Sequence, residues 1–155
     1  MISHYISGSV VESPVGLVLV ESAGRRNAMT VAFFSEVAHH PTSLWISIAN
    51  SAYTHELIRE SGRFSLIVLH KFQKRIAEMC GSVSGRDQDK CIDLELYGGG
   101  DSFLFLKDAL ASVACRVRRS ATLGDHTLFV ADILSGHIET RRASLRHLLV
   151  SDLSA

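Results

Sequence analysis

The chain has 155 residues, enough for one domain with a substantial core and too few for two, so residues 1–155 are read as a single domain. Sixteen Lys and Arg against sixteen Asp and Glu leave no net charge, which removes the electrostatic footprint of a general nucleic-acid binder. No apolar run reaches the roughly twenty residues of a membrane helix, and no basic stretch precedes an apolar one at the start, so a cytoplasmic location without a membrane partner is expected.

Val15 to Val20 is apolar and β-branched, Ala28 to Phe34 is similar, and the turn-like Ser22 to Arg26 between them predicts a hairpin. After Pro41, Ser43 to Ala49 alternates, placing Leu44, Ile46 and Ile48 on one face of a third strand. Asn50 or Ser51 is positioned to cap a helix through His55 to Glu60, which Ser61-Gly62 ends. Arg63 to Leu69 returns as a strand. Phe72, Ile76 and Met79 then fall at helical spacing in a second helix that stops before Gly81. Residues 82–101 are polar and Gly-rich, a long surface excursion of the kind that often carries function. Val113, Cys115 and Val117 mark one face of a strand, His126 to Leu134 forms another, and Gly124-Asp125 turns between them. Leu145, Leu148 and Leu149 favour a terminal helix within residues 141–153. Strands broken by two or three short helices predict a mainly β fold, an antiparallel barrel that is closed or nearly closed, with helical attachments.

Cys80, Cys91 and Cys115 are widely spaced and form no C-x-x-C pair, which suits structural thiols rather than disulfides or zinc. The chain has no P-loop, no G-x-S-x-G elbow, no H-E-x-x-H and no dinucleotide-binding glycine fingerprint, so hydrolases and nucleotide kinases lose ground. Gly98 to Gly100 reads as a flexible turn, since no Lys-Ser or Lys-Thr follows it. His39 and His40 lack a third ligand at a recognisable spacing, and no metal site is assigned.

Three other places carry more chemistry. In Asn50-Ser51-Ala52-Tyr53-Thr54, an amide and two hydroxyls stand where a helix begins, a setting that attracts phosphate and that ordinary capping explains almost as well. Asn27-Ala28-Met29-Thr30 brings a polar residue into a strand through small residues, which suits either a flat ring lying against the backbone or a plain edge strand. His126, after Gly124-Asp125, is either a solvated turn histidine or a polar group aimed into a cleft. Arg116, Arg118 and Arg119 have no interleaved aromatic residues and read as a solvated face.

These places coincide with the motifs of one family. Gly16-Leu-Val-Leu-Val20, Asn27-Ala-Met-Thr-Val-Ala-Phe-Phe34, Ala52-Tyr-Thr-His-Glu-Leu-Ile-Arg-Glu-Ser-Gly-Arg-Phe64, Gln73, Asp89-Lys90, Leu110-Ala111 with Cys115-Arg116-Val117, and Gly124-Asp-His-Thr-Leu-Phe129 follow one another in the family's order. With them the sequence resembles the flavin reductase-like, FMN-binding split-barrel proteins. The resemblance implies an antiparallel split β-barrel of Greek-key type, paired as a homodimer with a flavin near the interface in each subunit. It implies that Asn27, Ala28, Met29 and Thr30 lie along the flavin ring and bond its polar edge through their backbone. Asn50, Ser51 and Thr54, with Ala49 beside them, would receive the phosphate, and Lys90 would bring a cation to it. His126 would border the flavin or nicotinamide pocket and is the catalytic candidate. The implied cofactor is FMN, with FAD as the alternative, and the implied donor is NADH or NADPH, whose hydride passes to the flavin without any protein nucleophile. Reduced flavin or electrons would then reach an oxygenase or another acceptor protein. Two alternatives stay open: an FMN-binding electron-transfer module without nicotinamide activity, and a flavin-free interaction domain on the same fold. Cys91 replaces an aromatic residue common in relatives, which implies a more open or differently filled pocket.

Overall fold

Residues 16–20 are all buried, and in a strand successive side chains point to opposite faces, so this segment demands a cover on both sides. The computed structural model describes residues 11–100, 102–139 and 145–153 and supplies both covers. Leu17 and Leu19 join one apolar core, and Val18 and Val20 join another.

The strands are β1 (Gly16–Ser22), β2 (Arg25–Val31), β3 (Phe34–His39), β4 (Thr42–Ala49), β5 (Arg63–Val68), β6 (Leu96–Gly98), β7 (Leu104–Leu106), β8 (Ala111–Leu123) and β9 (His126–Ile138), with helices α1 (Tyr53–Ser61) and α2 (Lys74–Ser82). Seven strands pair in the order β2-β1-β5-β8-β9-β4-β3, and β6 pairs with β7. All of these ladders are antiparallel. The fold is therefore mainly β, as expected. Within the long β8–β9 hairpin, β5 pairs with residues 111–116 near its base while β4 pairs with residues 126–132 near its tip. The sheet is thus staggered about that hairpin, and among the described residues its hydrogen-bonded order ends at β2 and β3 without a closing ladder. Side chains from β1, β4, β5, β8 and β9 still meet in the second core together with Leu57 and Ile58 of α1. The first core is completed by Ala77 and Cys80 of α2, Leu104 and Leu106 of β7, and Leu148.

Several local expectations are revised. The segment from Ala28 to Phe34 is not one strand: β2 stops at Val31, and Phe34 opens β3. The second helix starts at Lys74 rather than Phe72, because His70 Nδ1 accepts from the Phe72 N–H and Gln73 Nε2 donates to the Asp108 carbonyl, which together hold the preceding turn. Phe72 is left exposed. The stretch at 82–101 is not wholly a surface excursion, since a 3-10 turn at Lys90–Asp93 buries Lys90 and Cys91. Among the described residues 145–153 there is no α-helix. Leu148 instead accepts from Val15 N–H and donates its own N–H to Leu69 carbonyl, so this segment runs extended before a 3-10 turn at Val150–Asp152. Residues 141–144 of the expected helix lie outside the described residues. No helix of the described residues is long and apolar enough to cross a membrane.

Candidate functional site

Because β2 is an edge strand, it pairs on one side only and leaves alternate backbone groups available on the other. A cavity of about 360 Å³ opens beside it. Asn27, Met29, Thr30 and Val31 of β2 line one side. Ala49, Ser51, Ala52 and Tyr53 line a second, where β4 passes into α1, and Cys80 to Gly85 with Lys90 line a third. Val15, Val150 and Leu153 complete the wall.

Neither Asn50 nor Ser51 caps α1. Its N-cap is Ala52, with no side-chain hydrogen bond to the helix start, so no side chain caps the first N–H groups of α1, next to Ser51, Ala52 and Tyr53 of the cavity wall. Asn50 is committed elsewhere, donating to the Gly124 carbonyl at 3.1 Å and accepting from the Thr127 hydroxyl at 2.7 Å. Those bonds tie the strand end to the β8–β9 turn. His55 Nε2 lies 2.9 Å from the same Thr127 oxygen, and burial, with Arg59 nearby, holds its pKa below the ordinary histidine value.

Asn27 is only 3% exposed, and its Nδ2 donates to Thr54 Oγ1 at 2.9 Å. Its Oδ1 is buried without a hydrogen-bond partner. Gly85 lies against this amide so closely that a Cβ there would fall 2.1 Å from Oδ1, so glycine is needed at that position for space. Thr54 is fully buried behind Asn27, and Ala28 faces the first core, so neither lines the cavity. The Thr30 hydroxyl donates to the Ala77 carbonyl at 2.5 Å, locking β2 to α2.

Lys90 is 3% exposed, and Nζ donates to the carbonyls of Cys80 and Val83 at 2.9 and 3.0 Å. It therefore caps the C-terminal end of α2 while bordering the cavity. Burial lowers its pKa, and among the described residues no carboxylate is paired with it. Burial pushes the Cys80 thiol up to about 11 and the Cys91 thiol up to about 12, so both stay protonated at neutral pH. Cys91 belongs to the first core and is not among the residues that border the cavity.

His126 also stands outside the cavity wall. It pairs in register with Ala49, its Nδ1 lies 2.8 Å from Asp125 Oδ1, and its ring sits 5.7 Å from that of Phe33. The structure thus gathers Asn27, Met29, Thr30, Ala49, Ser51 and Lys90 around one cavity and leaves Ala28, Asn50, Thr54 and His126 off its surface. Sequence reasoning missed Gly85, Val150 and Leu153. Gly85 is an unremarked glycine in a polar stretch, and the two apolar residues were hidden in a helical pattern.

A family model described as flavin reductase like domain matches residues 8–150. The chain is 29% identical over 123 residues to the reductase component of an FADH(2)-dependent resorcinol hydroxylase from Rhizobium sp. (strain MTP-10005), covering 78% of this chain and 68% of that protein. It is 29% identical over 110 residues to the NADH-dependent flavin reductase StyB of Pseudomonas fluorescens, covering 71% and 62% respectively. Among solved structures, an FMN-binding protein from Thermus thermophilus with bound p-hydroxybenzaldehyde aligns with a TM-score of 0.84 at 26% identity, over 90% of this chain and 82% of that one.

Proposed function

The chain belongs to the flavin reductase like domain family, and from that premise we propose that it is a flavin oxidoreductase that binds FMN beside β2 and takes hydride from NADH. The observation that carries this reading is the cavity enclosed by β2, the start of α1 and the Cys80-to-Lys90 side, whose wall holds Asn27 with a buried amide oxygen that lacks a donor among the described residues and Gly85 packed against it. The cavity volume also falls in the range of about 300–1,000 Å³ common for small-molecule sites.

When bound, the flavin supplies a ring that accepts hydride and passes electrons on. The protein's part is binding and orientation. Free backbone groups along the edge of β2 fix the ring's polar edge. The uncapped start of α1, with the Ser51 hydroxyl, holds the phosphate, because N–H groups and helix dipole both favour an anion there. Lys90 adds a buried cation that no carboxylate among the described residues pairs with. Val15 and Val31 keep water from one end, and His126 flanks the β4 end of the site through its pairing with Ala49. The two nearest thiols stay protonated and take no part.

Two further proposals concern partners, the first supported by the reductase-component relative and the second by the family resemblance. A protein of this kind delivers reduced flavin to a partner oxygenase, as a reductase component does. It also works as a homodimer, for which Leu123, Leu134 and Ile138, exposed along β8 and β9, supply apolar contact surface.

The deciding experiment is an absorbance spectrum of the purified protein with FMN, followed by NADH without oxygen. We expect a bound-flavin band that NADH bleaches. A yellow protein that NADH leaves unbleached would move the reading to an electron-transfer module, and one that never binds FMN would end it. Lys90→Ala is expected to weaken FMN about tenfold more than riboflavin, which lacks the phosphate, because one partly screened charge pair is lost. Equal losses, read by fluorescence quenching, would make Lys90 only the cap of α2.

A further inference from the structure

The cavity is polar at one end and apolar at the other. β2 runs along it from Asn27 to Val31, a span of about 13 Å at ordinary strand rise. Gly85 lies against Asn27, whose amide donates to Thr54 in the first turn of α1, and the Arg26–Asp89 ion pair brings the neighbouring Lys90 to the same end. Val31 keeps different company. The Gly16–Val31 register brings Val15 alongside, Val15 N–H donates to Leu148 carbonyl at 2.7 Å, and Val150 N–H donates to Ser13 carbonyl at 3.0 Å. These bonds carry Val150 and Leu153 to the cavity wall, where each is only 6% exposed.

The turn that presents them is fastened from outside. Arg146 grips both oxygens of Asp152, at 2.6 and 2.8 Å, and Asp152 also accepts from Leu149 N–H at 2.8 Å. The guanidinium and that N–H hold the Asp152 carboxyl down at about 2. A backbone bridge between Pro14 and Leu149 adds a second tie. Two planar hydrogen bonds to one carboxylate set an angle as well as a distance, so the pair defines where the turn sits.

Resting on the flavin reading of this cavity, we propose that Val150 and Leu153 are the apolar seat of the bound flavin's ring and that Arg146 and Asp152 are the positioning pair that holds the seat. A flavin phosphate carries its charge at one end of a long molecule and its ring at the other, and that ring has an apolar dimethylbenzene edge opposite the polar edge that β2 holds. In this cavity only one direction avoids setting the phosphate against valine and leucine, and it lays the ring edge on Val150 and Leu153. The polar end then reads the phosphate, and the turn reads the ring.

The test compares FMN with lumiflavin, the ring without ribityl or phosphate. Leu153→Ala is expected to weaken both by the same factor, about tenfold, as removal of buried apolar contact requires. Asp152→Asn should weaken both in parallel and shift the visible band of bound flavin toward that of free flavin, and Asp152→Glu should restore both. A loss for FMN with lumiflavin unchanged, or no loss for either in Leu153→Ala, would overturn the seat. Wild-type protein that binds neither flavin would overturn the flavin reading and the seat with it. If Asp152→Asn does not fold, Val150→Ala carries the same FMN-to-lumiflavin comparison.

Discussion

Replacing Gly16 with alanine is expected to lower the unfolding free energy by about 1–3 kcal/mol, as overpacking between two hydrogen-bonded strands does. Gly16 opens β1, the strand held between β2 and β5, and pairs with Val31 on one side and Val68 on the other. A Cβ there would lie 2.6 Å from the Ile67 carbonyl oxygen and 3.4 Å from the Phe34 ring. The near neighbour is backbone, which has no rotamer to yield with, so β1 and β5 must separate or the ladder bond must stretch. Urea unfolding should show a midpoint shift at an unchanged denaturant slope. A midpoint equal to wild type would mean that the β1–β5 pair relaxes freely at this end. Flavin affinity should fall too, because the same displacement moves Val15 and Val31 in the cavity wall.

That glycine belongs to a stretch whose strand character was plain in the sequence, as was that of β4, where Leu44, Ile46 and Ile48 are all buried as the alternation required. Patterns of this kind survive because local preference and burial agree. The end of α1 was equally legible, since Gly62 takes φ 69° and its N–H bonds the Ile58 carbonyl. Its start was not. Asn50 is a good cap by composition, yet its amide is taken by Gly124 and Thr127, 74 and 77 residues away, and the cap falls to an alanine. The leucines at 145, 148 and 149 failed for a related reason. A short isolated helix has marginal stability, and backbone bonds from Leu148 to Val15 and Leu69 outweigh it. From the sequence Lys90 reads as a loop cation, yet it is a buried helix cap at the cavity edge, because the sequence holds no sign that the carbonyls of Cys80 and Val83 await a donor. The gathering of Asn27, Ser51 and Lys90 around one cavity was anticipated only through the family resemblance. No spacing rule connects three residues on an edge strand, a helix start and a 3-10 turn.

Changing Ser51 to aspartate is expected to weaken FMN binding by about a hundredfold while leaving riboflavin within about twofold, since a unit charge roughly 4 Å from a phosphate costs a few kcal/mol where solvent only partly screens it. Ser51 is the residue before the N-cap and lines the cavity beside the free N–H groups of α1. A carboxylate there meets two opposite effects. Toward the helix it is favourable, because a negative charge near the N-terminus interacts well with the dipole and supplies an acceptor that Ala52 lacks. Thermal stability of the apo-protein should therefore hold or rise slightly. Toward a bound phosphate it is doubly unfavourable, repelling the anion and occupying the N–H groups that would receive it. Loss of FMN affinity without loss of stability thus separates a binding effect from misfolding, and riboflavin separates phosphate from ring. Isothermal titration with both flavins, beside a melting curve, reads all three quantities. If the Ser51→Asp variant bound FMN as tightly as wild type, the phosphate would have to lie away from the start of α1, and the direction assigned to the ligand along β2 would reverse.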